Sequence, residues 1–235
     1  MLFRSLRIMT SGAFTAAHLE LIPEVEKLTG KQVVTVTTSV GTGETSIASR
    51  LKRGEVADVV IVAEDLLNQF IADGVVVAAG HKKIASSVIG IAVRAGAPKP
   101  DVSTAEAFKR FLLAAKYVAY SASVSGKYLT TEIYPRLGIA DVMMPKSHLT
   151  TGGVRTGAVV ARGDADVCCQ QISEMLPVEG IAHITPLPPE LQKVSYFAAG
   201  VGANSADKVT AQKMIDFLAS AAAAAAIRKS GLEPA

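Results

Sequence analysis

Four short turns of the sequence combine serine or threonine hydroxyls with glycine, and each precedes a predicted helix. These turns are residues 10–13, 39–45, 121–126 and 150–153. The start of a helix presents backbone N–H groups without intrahelical partners and a partial positive charge, and both favour an anion. Glycine lets a ligand approach the backbone, and a hydroxyl adds a hydrogen-bond donor. Together the turns predict a site for a small oxyanion or carboxylate.

The candidate ligand-binding residues come from these turns and from polar positions near them. The turns contribute Ser11, Gly12, Thr42, Gly43, Thr45, Ser123, Ser125 and Gly126. Gln170 and Gln171 follow a predicted strand, and their side-chain amides would hydrogen-bond carboxylates or hydroxyls. The alternative for every hydroxyl is that it only caps a helix, a role for which serine and threonine are favoured.

Two arginines, a lysine and a tyrosine complete the candidate set. Arg94 ends a predicted strand, where it would bind a carboxylate with two parallel hydrogen bonds; the alternative is an exposed hinge arginine. Arg155 and Lys127 lie in the first turns of predicted helices, where a cation is unfavourable to the helix dipole, so each is a candidate to point at a ligand. Tyr128 would either donate a hydrogen bond or only pack.

Proton transfer would require a general base, and our candidate, if the protein is an enzyme, is Glu44 beside two glycines. Its alternative is a role at the start of the next helix. Lys127, Tyr128 and His148, which we expect in a polar loop, are the other candidates. Residues 39–45 lack the Gly-Lys-Ser/Thr ending of a P-loop, and neither a GxSxG motif nor metal-binding histidine spacing is present. We therefore expect no cofactor and no metal.

The composition of the 235-residue chain excludes several classes of protein. Hydrophobic residues make up 49% and the net charge is only +3, which argues against disorder. Aromatic residues make up 5% and no block of Lys and Arg exceeds two, so nucleic-acid binding is not expected. No apolar run of the roughly 18 residues that a membrane span needs is present. No secretory signal is visible, so we expect a periplasmic location if a signal was removed and a cytoplasmic one otherwise.

Short β-branched segments alternate with amphipathic segments, which predicts an α/β fold with mostly parallel sheets. Strands are expected at residues 6–9, 33–37, 59–62, 87–93, 117–120, 165–169 and 194–201. The adjacent Cys168 and Cys169 are expected to be buried and unbridged. The simplest arrangement has two lobes, residues 1–86 plus 195–235 and an inserted 87–194. Two crossover strands would join the lobes, with a ligand cleft between them.

Three segments resemble the type II periplasmic binding proteins of the molybdate-binding kind. They are the opening TSGAF of residues 10–14, the run RLKRGEVADVVI of residues 50–61, and the ending FLAS…GLEP of residues 217–234. Molybdate binders often carry a tyrosine near the position of residues 165–169, where this chain has Cys-Cys-Gln-Gln. The segments TSGAFTAA, SGKYLTTEIYPRLGI, GAVVARGDADV and QQISE are more similar to a subgroup that is associated with organic polycarboxylates and resembles aconitate isomerase.

The resemblance implies a two-lobed, monomeric solute-binding protein that closes around a small anion and serves an ABC-type transporter. The expected ligand is an organic di- or tricarboxylate, or an oxyanion such as molybdate, and the expected protein partner is a transporter permease. The alternative is an isomerase of the aconitate type, which moves a proton between carbons of a tricarboxylate. The effector domain of a transcription regulator is a third hypothesis, against which the lack of a helix-turn-helix segment argues.

Overall fold

The computed structural model describes residues 5–36, 38–41, 43–151 and 153–235. The strands are β1 (Leu6–Thr10), β2 (Val33–Val36), β3 (Val59–Ala63), β4 (Lys82–Arg94), β5 (Val118–Ser121), β6 (Ser147–Thr150), β7 (Val167–Gln171), β8 (Ile181–Pro186), β9 (Val194–Val201) and β10 (Glu233–Pro234). The helices are α1 (Gly12–Thr29), α2 (Ile47–Lys52), α3 (Glu64–Ala72), α4 (Ala105–Ala114), α5 (Val124–Tyr128), α6 (Tyr134–Arg136), α7 (Ala140–Met143), α8 (Thr156–Arg162), α9 (Ile172–Met175), α10 (Lys208–Leu218) and α11 (Ala224–Lys229). This alternation confirms the predicted α/β class.

The chain divides into two compact units. Unit 1 comprises Met1–Ser87 and Ser195–Ala235, and unit 2 comprises Val88–Val194. Strand β4 begins in unit 1 and ends in unit 2. In the part of the chain that the structure describes, no helix is long and apolar enough to cross a membrane.

Unit 1 is built on the strand order β2-β1-β3-β9. Strand β1 runs parallel to β2 and β3, and β9 runs antiparallel to β3. Side chains of β3 alternate between two cores: Val59 and Ile61 pack towards α1, while Val60 and Val62 pack towards α2 and α3. Both faces of β3 are therefore covered, as its uninterrupted apolar run predicts. Helix α1 ends at Gly30, which adopts the left-handed conformation that glycine tolerates.

Unit 2 has the strand order β4-β7-β5-β6, with β8 paired to β4. Strands β5, β6 and β7 are parallel to one another, and β4 is antiparallel to β7. Cys168 and Cys169 are buried and unbridged on opposite faces of β7, which confirms the expectation for both thiols. The carboxyl ends of three parallel strands consequently lie at one edge of the unit 2 sheet.

Two features of unit 2 differ from the sequence-based expectation. The helix expected to follow the turn 121–126 begins within that turn, at Val124, and contains a π-helical turn, Leu129–Ile133, between α5 and α6. Strand β6 was expected to be a loop; its residues Ser-His-Leu-Thr are partly or fully exposed and show no alternation of polar and apolar positions. Strand β8 is also poorly buried. An exposed strand at a sheet edge lacks the alternation of apolar and polar residues from which a strand is predicted.

Candidate functional site

The end of β1 presents a buried hydroxyl that has no hydrogen-bond partner among the described residues. Ser11 is 5% exposed, and its Oγ is unpartnered. Its backbone is fully used, because its N–H donates to the carbonyl of Ile61 at 2.8 Å and its carbonyl accepts from the N–H of Phe14. Although Ser11 is the N-cap residue of the 18-residue helix α1, its side chain does not cap the helix. The neighbouring Gly12 is exposed, so the helix start is open at its first residue.

The second glycine-rich turn contributes exposed residues of unit 1. Thr42 lies outside the described residues. Gly43 has a φ of 120°, and Thr45 is exposed with its hydroxyl 3.2 Å from that of Ser39. The cap of α2 is Ser46, whose hydroxyl accepts from the N–H of Ser49, rather than Thr45. Glu44 is exposed, and its carbonyl accepts a hydrogen bond from Arg53 at 2.8 Å.

The turn after β5 forms a row of three serine hydroxyls in unit 2. The Oγ of Ser123 lies 2.8 Å from that of Ser121 and 3.0 Å from that of Ser125, which is fully buried. Gly126 follows at a position where a Cβ would stand 1.8 Å from the carbonyl oxygen of Ser121. Only glycine fits there, so Gly126 permits the helix to begin directly against this row.

The carboxyl ends of β5, β6 and β7 bring further polar groups level with that row. Ser121 is paired in register with Thr150 of β6. Ala119 is paired with Cys168 of β7, and Ser121 and Gln170 each follow this pair by two residues along their own strands. The Oγ1 of Thr150 is buried and, within the described ranges, has no hydrogen-bond partner. The edge predicted to bind an anion therefore carries hydroxyl and amide groups from three strands.

A hydrogen-bonded chain of three side chains orients Gln170. The hydroxyl of Thr156 donates to the Oε1 of Gln170, and the Nε2 of Gln170 donates to an Oε of Glu174. Thr156 is fully buried and Gln170 is 4% exposed. The side chain of Gln171 is also buried. The Thr156 hydroxyl occupies one lone pair of the Gln170 oxygen and Glu174 occupies one N–H, which leaves a second N–H that a ligand could accept.

Glu174 is a functional candidate that the sequence analysis missed. Burial raises the pKa of its carboxyl to about 7, against the opposing effects of the positive charge of Arg155 and the hydrogen bond from Gln170. Arg155 is exposed and precedes α8 as its N-cap residue, rather than lying within its first turn as predicted. The four-residue spacing from Gln170 to Glu174 was the available signal, but the burial that shifts the pKa cannot be seen in a sequence.

Arg94 lies apart from these groups, and Tyr128 hydrogen-bonds another residue of unit 2. Arg94 is at the opposite edge of the unit 2 sheet, because β4 is antiparallel to β7 and pairs Val93 with Val167 at the amino end of β7. Its guanidinium lies close to Gly163. The hydroxyl of Tyr128 accepts a hydrogen bond from Arg136 at 3.3 Å, which gives this side chain a structural role.

The two remaining basic candidates are exposed. Lys127 is exposed on α5. His148 is exposed in β6, where its ring contacts that of Tyr117 at a centroid distance of 4.5 Å, with the two ring planes tilted by 31°. The prediction of a loop at His148 is wrong, because β6 extends the parallel sheet beyond β5. Within the described ranges, no three or more His, Cys, Asp and Glu side chains are grouped to hold a metal ion.

Comparison with known proteins identifies the family. Residues 6–233 match the bacterial extracellular solute-binding proteins. The chain is 37% identical over 231 residues to a Pseudomonas sp. protein named aconitate isomerase, covering 98% of this chain and 88% of the relative.

Solved structures show the same fold at low sequence identity. The periplasmic molybdate-binding protein of Azotobacter vinelandii superposes with a TM-score of 0.76 at 16% identity, covering 97% of this chain and 98% of that one. The tungstate ABC transporter structure from Geobacter sulfurreducens gives a TM-score of 0.71 at 20% identity, covering 96% and 98%. The chain belongs to the bacterial extracellular solute-binding proteins, with a fold of the molybdate- and tungstate-binding type.

Proposed function

We propose that this protein binds a small organic di- or tricarboxylate, and that the groups of unit 1 that hold it are the hydroxyl of Ser11 and the open start of α1. The observation that carries the proposal is the buried hydroxyl of Ser11, which has no partner in the described parts of the chain. Leaving a buried polar group unpaired costs about 1–3 kcal/mol. A ligand oxygen placed at the start of α1 would accept from this hydroxyl and be favoured by the helix dipole.

Unit 2 supports an organic carboxylate rather than a tetrahedral oxyanion. The Nε2 of Gln170 has a second N–H besides the one that it donates to Glu174, and the exposed Arg155 is close enough for its charge to lower the pKa of Glu174. Amide and guanidinium donors match planar carboxylates well. The 37% identity to a protein named aconitate isomerase is also well above the 16–20% shared with the molybdate and tungstate proteins. We extend the proposal to delivery of the ligand, as a periplasmic monomer, to an ABC-type permease.

A thermal-shift series tests the ligand class. The purified protein is heated with citrate, cis-aconitate, trans-aconitate, succinate, sulfate or molybdate at equal concentration and pH. We expect at least one polycarboxylate to raise the Tm in a saturable manner, because a ligand that binds only the folded state stabilises it by mass action. A shift with molybdate alone would contradict the proposed ligand class, and no shift with any anion would contradict the site itself.

A second candidate function, isomerisation of aconitate, is favoured by Glu174. An ionised carboxylate would repel an anion, whereas proton transfer needs a group that titrates near neutral pH, and the pKa of Glu174 is raised to about 7. The 37% identical relative supports the same candidate. Incubation with cis-aconitate followed by proton NMR would detect the trans isomer through its vinyl signal. Binding without conversion would leave the solute-binding proposal and exclude the isomerase.

A further inference from the structure

Glu174 stands out in unit 2 as a partly buried carboxyl group that is not part of an ion pair within the described ranges. Burial of a carboxylate without a cation in direct ion-pair contact is unfavourable, so its presence calls for a specific explanation. The side-chain amide of Gln170 donates a hydrogen bond to one of its carboxyl oxygens. The hydroxyl of Thr156 in turn donates a hydrogen bond to the Oε1 of the same amide. Two buried side chains thus fix the direction in which Glu174 points.

The location of Glu174 connects it with the candidate ligand groups. It lies on α9, the helix that follows β7, and β7 ends at the same sheet edge as the serine row after β5 and Thr150 of β6. Arg155, at the start of α8, is close enough for its positive charge to lower the pKa of Glu174. A tricarboxylate bound at this edge would contact hydrogen-bond donors and a single carboxyl group, that of Glu174.

The charge of Glu174 argues against a role in simple anion binding. An ionised glutamate would repel a tricarboxylate, whereas a protonated one would donate a hydrogen bond to it. Because an anionic ligand disfavours the charged form further, the ionised fraction of Glu174 would be a stronger base in the complex than in the free protein. The most effective general acid–base groups titrate near the working pH, which fits a pKa of about 7.

We propose that Glu174, oriented by Gln170, is the catalytic residue that transfers a proton between two carbons of a bound tricarboxylate. This inference rests on the isomerase candidate above. Gln170 and Thr156 are then positioning residues, because they act through Glu174. The earlier candidate Glu44 is exposed in unit 1 and has no comparable support.

The proposed step is balanced without a cofactor. The Glu174 carboxylate removes a proton from the methylene carbon of aconitate that is adjacent to the central carbon. The C–H electron pair becomes part of a three-carbon allylic anion that the attached carboxylates delocalise. The protonated Glu174 returns the proton to the other end of this three-carbon unit, and the double bond moves by one position. One C–H bond breaks and one forms, so the substrate is neither oxidised nor reduced.

The variant Glu174→Gln removes the proton-transfer group while keeping a hydrogen-bond acceptor for Gln170. We expect aconitate binding to change less than about threefold and turnover to fall at least a hundredfold, within the range attributed to general acid–base catalysis. The control is Glu179→Gln, an exposed glutamate of the same unit, which should leave both quantities unchanged. Calorimetry measures binding, and proton NMR measures conversion.

Deuterium incorporation and a pH profile separate a chemical role from a structural one. In deuterated water, the wild type should exchange the methylene protons of aconitate, and Glu174→Gln should not. The pH dependence of kcat/KM should show an inflection near 7 in the wild type. The charge of Arg155, at the start of α8, acts on the pKa of Glu174. Strands β7 and β8 contact α9, and their titratable residues are Cys168 and Cys169 of β7 and the exposed His183 of β8. The thiols keep their protons at neutral pH, because burial raises both pKa values.

The outcomes distinguish failure of this inference from failure of the isomerase candidate. If the wild type neither converts aconitate nor exchanges its protons, both are overturned. If the wild type does so and Glu174→Gln retains at least a third of the rate, only the role of Glu174 is overturned. Should Glu174→Gln fail to fold, Glu174→Asp provides the test: we expect a reduced rate with an inflection still present in its pH profile. An unchanged rate in that variant would also refute the proposed role.

Discussion

Replacing Ser11 by alanine should strengthen the fold and weaken ligand binding, and these opposite changes test the site directly. The hydroxyl of Ser11 is buried, does not cap α1 and forms no hydrogen bond in the described structure. Its removal therefore breaks no hydrogen bond among the described residues. The backbone hydrogen bonds of Ser11 to Ile61 and Phe14 do not depend on the side chain and should persist.

The expected magnitudes follow from two states of this hydroxyl: unpaired in the free protein and hydrogen-bonded to the ligand in the complex. An unpaired buried polar group costs about 1–3 kcal/mol, so the free protein should gain up to roughly 1 kcal/mol once the loss of a small packing contact is subtracted. For a chain of this length, that corresponds to an increase in Tm of about 2–4 °C. A hydrogen bond to a charged ligand oxygen contributes about 1.5–3 kcal/mol, which predicts roughly 10- to 150-fold weaker binding.

Differential scanning calorimetry and isothermal titration calorimetry measure the two effects on the same preparation. Ser230→Ala is the matched control, because this buried serine donates to the carbonyl of Ile227 at 2.7 Å. We expect the control to lose stability and to keep its affinity. If Ser11→Ala lost stability and kept its affinity, Ser11 would have only a structural role, and the reasoning for the site would be refuted.

Three further predictions concern both units. Gly126→Ala should lower the Tm by several degrees in a melting experiment, because its Cβ would collide with the carbonyl of Ser121; an unchanged Tm would contradict the close approach. Thr156→Val should weaken aconitate binding about tenfold in calorimetry, because Gln170 would lose the bond that fixes its amide; unchanged affinity would show that this orientation does not matter. His18 has a pKa lowered to about 4 by burial, so in urea unfolding stability should fall by up to about 3 kcal/mol as the pH drops from 6.5 to 4, and His18→Gln should lack this fall.

The sign of the His18 effect follows from proton binding in the two states. Between pH 6.5 and 4 the unfolded chain takes up a proton that the folded chain excludes, so acid favours unfolding. Glu174 acts in the opposite direction, because its raised pKa makes the folded state bind the proton more tightly between about pH 4.5 and 7. The difference between wild type and His18→Gln isolates the histidine, and His81→Gln, at an exposed histidine, should match the wild type.

The sequence was sufficient for the α/β class and for the strongly apolar elements. Val59 to Val62 could be assigned to a strand covered on both faces, because four consecutive apolar residues leave no polar face. Strand β6 could not be found, since an exposed edge strand carries no hydrophobic alternation. Its position depends on pairing with β5, which is a tertiary contact.

The candidate site shows the same division between local and tertiary information. Hydroxyl-rich turns after strands were visible, but whether Ser11 capped α1 or remained unpaired depended on geometry. The position of Arg94 at the opposite edge from Gln170 depended on the antiparallel pairing of β4 with β7. Glu174 could not be selected, because its significance lies in burial and in its contact with Gln170.

The central claim is that this solute-binding protein binds a small organic polycarboxylate, and a competition titration tests this claim most directly. The protein is titrated calorimetrically with trans-aconitate, first alone and then in the presence of excess molybdate. We predict saturable 1:1 binding of trans-aconitate that molybdate does not abolish. Absence of heat with every di- or tricarboxylate, together with saturable binding of molybdate, would contradict the account.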